Sequence, residues 1–235
     1  MIYWILIGIF VAILIIMLIF SATSYGRMIR IYKKYDKEFV YCNATGFEFT
    51  DWAIDQLGLN TKIYLLDKEL DECYLPKQDV VCISKHTAET SSVSSICIAA
   101  HELGHAVQNK NRTFVFTLQR FLNVVSKICA FFSPFLFIAG IVLLFIPEQL
   151  NLGTILVMSS LISLVTIFLL KIVTIPTEVQ ASRIAYDFLK ENNVLEKAEL
   201  RHGKKVLNAA IGTYIASLFV PILKFFKSIG RSFKR

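Results

Sequence analysis

Long uncharged apolar stretches alternate with shorter polar ones along this chain, and that contrast predicts most of its elements. Ile2 to Phe20 runs for about 19 residues without a charge, enough to cross a hydrocarbon core. Tyr3 and Trp4 sit at one end and Tyr25 beyond the other, where interface aromatics belong. No Lys or Arg precedes the stretch, so a transmembrane anchor fits better than a cleaved signal peptide. Ile128 to Ile146 and Thr154 to Leu170 are two further apolar stretches, joined by a short loop over 147–153, and they predict a helical hairpin. Val206 to Phe226 is apolar as well, but Gly212, Pro221 and Lys224 interrupt it and bases flank both ends. It predicts a helix packed against the site or lying in the membrane interface.

Between the anchor and the hairpin the periodicity shortens. Thr50 to Leu57 predicts a short helix capped by Thr50 or Asp51. Lys62 to Leu66 and Asp79 to Ser84 predict strands, the second carrying Val80, Val81, Cys82 and Ile83. Ser91 or Ser92 caps a helix reaching about Lys110, with Val93, Ile96, Ala100, Leu103 and Val107 at helical spacing. Residues 176–190 predict an amphipathic helix with Pro176 in its first turn and Ala181, Ile184, Ala185 and Phe188 on its apolar face. Four segments result: an anchor over 1–24, an α+β portion over 25–127, a hairpin over 128–170 and a tail of two helices over 171–235.

Composition fits a membrane protein, since 55% of the 235 residues are apolar. The net charge of +7 is distributed as topology rather than as a nucleic-acid surface. Arg27, Arg30, Lys33, Lys34 and Lys37 follow the first stretch, whereas the 147–153 loop has Glu148 and no base. The positive-inside rule then puts the N-terminus outside, 21–127 inside, the short loop outside and 171 onward inside. The hairpin thus returns the chain to the side where the α+β portion lies. Five cysteines without a C-x-x-C predict small buried apolar residues rather than disulfides or a thiolate metal site.

The chemistry begins at His101-Glu102-Leu103-Gly104-His105. Histidines at i and i+4 share one helix face, so both imidazoles can reach one zinc ion. Glu102 lies about 100° round the helix, beside the metal rather than on it. There it can hold a zinc-activated water and take its proton. Gly104 leaves room for a neighbouring backbone or a substrate. A third ligand is needed if the fourth position is to stay open for water. His86 and His202 are the remaining histidines, one in a loop and one in a basic stretch. Glu178, opening the 176–190 helix, is the better candidate; its alternative role is a first-turn carboxylate facing the helix dipole. Ser182, one turn on, could orient that carboxylate or a ligand histidine. Tyr74, Arg183 and Tyr214 are candidates for stabilising an oxyanion.

Three spaced blocks resemble the YugP-type membrane neutral zinc metallopeptidases. They are Ala99-Ala100-His101-Glu102-Leu103-Gly104-His105-Ala106-Val107-Gln108, then Thr174 to Arg183, then Lys205 to Tyr214. The resemblance implies a zinc protease with His101 and His105 as ligands, Glu102 as base and Glu178 as third ligand. Two departures stand out. The family's D-H-Y-x-P element is Glu72-Cys73-Tyr74-Leu75-Pro76 here, and the Asp two residues after the third ligand is Gln180.

The expectation is a mainly α membrane protein with three transmembrane helices and a small zincin-like α+β portion. Its function is that of a zinc-dependent peptidase of a bacterial plasma membrane, with its active site on the cytoplasmic face and the bilayer and a peptide or membrane protein as partners. A substrate peptide is expected to pair as an added strand beside Asp79–Ser84. The rival readings are a catalytically silent zinc-binding membrane scaffold and a zinc hydrolase of a lipid or lipidated peptide.

Overall fold

The computed structural model describes residues 22–217 together with Ile15 and Ile19; the side chains of 171 and 213–217 are not described. The expected first span therefore lies outside the described residues, as does the end of the expected C-terminal helix beyond Ser217. The described chain is mostly helical with one three-stranded sheet. It divides into two compact units. One holds Leu118–Thr174, and the other holds Thr23–Thr117 with Ile175–Tyr214.

The second unit begins within a helix whose described residues run over 22–35 (α1) and continues with α2, Gly46–Gln56. The start of α2 differs from the expected one. Thr45 is the N-cap, and it forms a capping box in which its side chain takes Glu48 N–H while the Glu48 carboxylate takes Thr45 N–H. Thr50 sits inside the helix instead, its hydroxyl donating to the Gly46 carbonyl at 2.6 Å. Gly46 is glycine because a Cβ there would run into the Thr87 carbonyl.

Strand β1, Lys62–Leu66, matches its expected bounds, and β3 covers Val80–Ser84. A strand that the alternation did not show, β2 over Cys73–Leu75, completes the sheet. The order is β1-β3-β2, with β1 parallel and β2 antiparallel to β3. Asp79 turns the chain into β3 at φ 53°, a conformation that Asp tolerates better than most side chains. Its carboxylate accepts from Thr61 Oγ1 at 2.8 Å and from the Tyr74 hydroxyl at 2.7 Å. Because β3 has a strand on either side, a substrate cannot pair beside 79–84. Strand addition is confined to the sheet edges, β1 and β2.

A five-residue helix, α3 (Lys85–Glu89), leads to α4, Val93–Lys110, which Ser92 caps through the Ser95 N–H. Helix α4 is buried on almost every side, packing on α2, α3, β2, β3 and α7. A turn with Arg112 at φ 47° separates it from α5, Phe114–Leu144. This helix starts 14 residues before the expected span, since a stretch of mixed polar and apolar residues with no Gly or Pro extends it. A short 3₁₀ turn at Pro147–Gln149 leads into α6, Leu150–Val173, so the expected 147–153 loop is largely helical. In the second unit again, α7 covers Ile175–Glu191 and α8 covers Lys197–Ser217.

Helices α5 and α6 pair through small residues. A Cβ on Gly140 would meet the Gly153 carbonyl at 2.9 Å, and one on Gly153 would meet the Gly140 carbonyl at 3.0 Å. One step along, Ser133 and Ser160 are buried and each donates to the other's carbonyl, at 3.2 and 3.0 Å. Large side chains point outward, among them Phe131, Phe135, Ile155, Ile162 and Leu169, all exposed. A soluble core helix would bury that surface. Both helices are long and apolar enough to cross a membrane. The cysteines depart from the uniform expectation. Cys82 and Cys97 are buried, Cys73 and Cys129 half-buried and Cys42 exposed.

Candidate metal centre

The site forms where α4 crosses α7. Gly104 lets the two backbones touch, because a Cβ there would stand 2.5 Å from the Ala181 carbonyl oxygen. Of the two neighbours foreseen for Gly104, the structure shows a backbone. Ala181 is itself fully buried, so nothing larger fits from the other side either. This close crossing brings the residues flanking Ala181 onto the histidine face of α4.

Glu178 Oε2 lies 3.4 Å from His101 Nε2 and 3.3 Å from His105 Nε2. The three donor atoms all lie within 4.8 Å of one another. Two zinc bonds of 2.0–2.1 Å at the tetrahedral angle place their donors about 3.3–3.4 Å apart, the spacing that Glu178 keeps from each histidine, so these two edges fit a zinc ion. The imidazoles stand nearly perpendicular, with centroids 4.9 Å apart and planes at 79°. Each Nδ1 has a partner behind it. Ser182 Oγ is 3.0 Å from His101 Nδ1 and also reaches the Leu207 carbonyl at 3.4 Å. Gln108 Oε1 is 2.9 Å from His105 Nδ1. Phe116 covers the outer side of His105, with ring centroids 6.1 Å apart.

Electrostatics follow from burying this cluster. Burial alone would lower the pKa of His105, but the Glu178 carboxylate outweighs it and, with Glu102, pushes it up to about 9. Burial works against the Glu178 carboxylate too, yet its contacts with His101 and His105 hold it well below the usual carboxylate range. Each group thus favours the charged form of the other in the absence of metal. A divalent cation held by His101, His105 and Glu178 would supply the positive charge that the imidazolium supplies without it. Glu102 behaves differently. Burial raises its pKa, and the neighbouring Glu178 and Glu72 charges add to the rise against the opposing pull of the two histidines. A carboxyl so placed takes up a proton more readily than an exposed one.

Other candidates fall elsewhere. The Tyr74 hydroxyl donates to Asp79 and accepts from Asn109 Nδ2 at 2.8 Å, so it is engaged in holding β2 to the end of α4. Arg183 is five residues, about 140° of helix, from Glu178. Its side chain is 82% exposed and pairs with Asp187 at 3.7 Å. The Tyr214 side chain lies outside the described ones. His86 pairs with Asp36 at 2.9 Å and His202 with Glu38 at 2.7 Å, both apart from the donor set. Gln108 was not singled out from the sequence. Its position one turn beyond His105, at i+3 on the same face, was the available signal.

Two histidines one turn apart and a carboxylate from a second helix bring together three groups that could hold a divalent metal, with the Glu102 carboxyl in the same stretch of α4. The chain belongs to the family described as "putative neutral zinc metallopeptidase", whose model matches residues 9–232, and zinc is the cofactor this membership implies. It is 27% identical over 199 residues to the "Putative membrane protease YugP" of Bacillus subtilis (strain 168), covering 84% of this chain and 85% of that relative. No solved structure matches the chain.

Proposed function

We propose that this protein is a membrane-bound, zinc-dependent peptidase in which His101, His105 and Glu178 hold the metal and Glu102 moves the protons. The observation that carries this reading is the convergence of three donors, with Glu178 at tetrahedral-edge spacing from both histidines, beside a buried carboxyl of raised pKa. Bound zinc supplies Lewis acidity and a water whose pKa falls to about 7. Glu102 accepts the proton of the attacking water and passes it to the leaving amine nitrogen. Its raised pKa suits the first half of that transfer, because a strongly acidic carboxyl would take the proton poorly. Two histidines with a glutamate as third donor make the arrangement gluzincin-like. Of the sheet edges, β2 is the one that packs on α4, so a peptide substrate added as a strand belongs there. The basic stretch after the first apolar segment supports a cytoplasmic site and an outside N-terminus.

Glu102→Gln tests the reading. The variant keeps the three donors, so zinc content should match wild type. Cleavage of an unstructured protein such as casein should fall by about 10² to 10⁴. Equal cleavage by both proteins would sink the proposed role of Glu102. Stoichiometric zinc with no cleavage by wild type, across soluble and membrane substrates, would favour a silent scaffold.

A further inference from the structure

Gln108 is fully buried on α4, with three polar contacts and no access to solvent. Its amide nitrogen lies 2.9 Å from the Thr177 carbonyl and 2.9 Å from Gln180 Oε1, and its amide oxygen lies 2.9 Å from His105 Nδ1. An amide can be turned end for end, but the Thr177 partner decides the orientation here. A backbone carbonyl only accepts, so the group facing it must be the NH₂. The oxygen is then forced toward His105. An amide oxygen only accepts, so His105 Nδ1 must carry a hydrogen. With Nδ1 protonated, the neutral imidazole has its lone pair on Nε2, the atom that faces Glu178. One main-chain carbonyl on α7 thus dictates, through one amide, which nitrogen of a histidine on α4 is able to bind metal.

We propose that Gln108 is a positioning residue that holds His105 as its Nδ1–H tautomer and so presents Nε2 to the zinc ion. The proposal rests on the donor set proposed above. It separates two jobs that one side chain performs, donating to α7 and accepting from His105. Gln108→Met removes both. Gln108→Glu keeps the acceptor for His105 and loses the donors to Thr177 and Gln180. A carboxylate also adds charge, and the double variant Gln108→Met with Gln180→Glu controls for it by placing a carboxylate nearby without restoring the acceptor.

The experiment measures zinc affinity of the full-length protein in detergent by competition with a chromophoric chelator. The melting temperature of each metal-free variant is recorded alongside. Gln108→Met should weaken zinc binding about 10- to 100-fold, the usual cost of losing such a partner. Gln108→Glu should recover most of that loss while melting no higher than Gln108→Met, since it donates nothing to α7. The double variant should not recover it. A residue that only clamps the two helices would make zinc affinity follow the melting temperature, with no recovery in Gln108→Glu. That pattern overturns the proposal, as does wild-type affinity in Gln108→Met or equal recovery in the double variant. His105→Ala separates the two levels of inference. Loss of zinc there with unchanged binding in Gln108→Met overturns the Gln108 assignment alone. Full retention in His105→Ala overturns the donor set and Gln108 together.

Discussion

Adding one methyl group at Gly104 should separate the proposed metal ligands without touching any of them. The new Cβ would stand 2.5 Å from the Ala181 oxygen and 3.1 Å from the Ala181 carbonyl carbon and Cα. Ordinary contact begins near 3.4 Å, so α7 must retreat locally by about 0.9 Å (3.4 − 2.5). The obstacle is helix backbone, which cannot rotate aside as a side chain would. Ala181 lies three residues after Glu178 and one before Ser182, so both move with it. Zinc–ligand distances tolerate only about ±0.2 Å, and the displacement is several times that. Two opposing terms set the stability. Alanine improves the helix by about 1 kcal/mol, while overpacking a tight crossing costs about 1–3 kcal/mol. Gly104→Ala should therefore melt at or modestly below wild type yet lose most of its zinc, read as metal per chain by atomic emission. Gly26→Ala is the control. No described atom lies within 4 Å of that Cβ, so zinc should be unchanged. Wild-type zinc affinity in Gly104→Ala would refute the argument that this close crossing sets the donor spacing.

Zinc binding should also be linked to protons. His105 titrates near 9 in the metal-free site and must be neutral to bind, so each zinc bound at lower pH releases a proton. Apparent affinity should rise about tenfold per pH unit from 6.5 to 8 and flatten toward 9; a pH-independent affinity would contradict the His105–Glu178 pair. Ser133→Leu should destabilise the hairpin by about 1–3 kcal/mol in a detergent unfolding assay, because Ser133 is fully buried against Ser160. Unchanged stability would mean that the serine pair is not a packing contact. In a background lacking the native cysteines, a cysteine at Asn151 should label from outside the cell and one at Lys110 should not. The reverse pattern would move the active site to the outer face.

Much of the site was legible because its signals are local. His101 and His105 announce themselves by spacing, and Ser92 caps α4 where a serine before an apolar period should. Glu178 was harder, since a first-turn carboxylate has an ordinary explanation in the helix dipole. Only the crossing at Gly104, formed with Ala181 77 residues on (181 − 104), brings it to the histidines. What the sequence hid depends on such long-range contact. Strand β2 has three residues, too few to show alternation, and its existence converts β3 from a presumed edge to the sheet centre. Thr45 lies five residues ahead of the apolar period that points to a helix start at Thr50, although Glu48 three residues on completes its capping box. The Asp79–Tyr74–Asn109 chain engages the tyrosine hydroxyl, and its members are scattered over 36 residues of sequence (109 − 74 + 1).

The α5–α6 seam has the character of a ratchet. Ser133 and Gly140 are seven apart, as are Gly153 and Ser160, and the same step reaches Ser126 and Ile167, both buried. A helix advances 1.5 Å per residue, so the next register that again sets small residue against small residue lies about 10 Å away. Any slide short of that drives a larger side chain into the Gly140–Gly153 contact, where Val157 already stands 2.8 Å from a Gly140 Cβ. The hairpin can tilt or travel as one body, but its two helices cannot creep past each other by a residue at a time. A motion in the membrane would have to be transmitted whole.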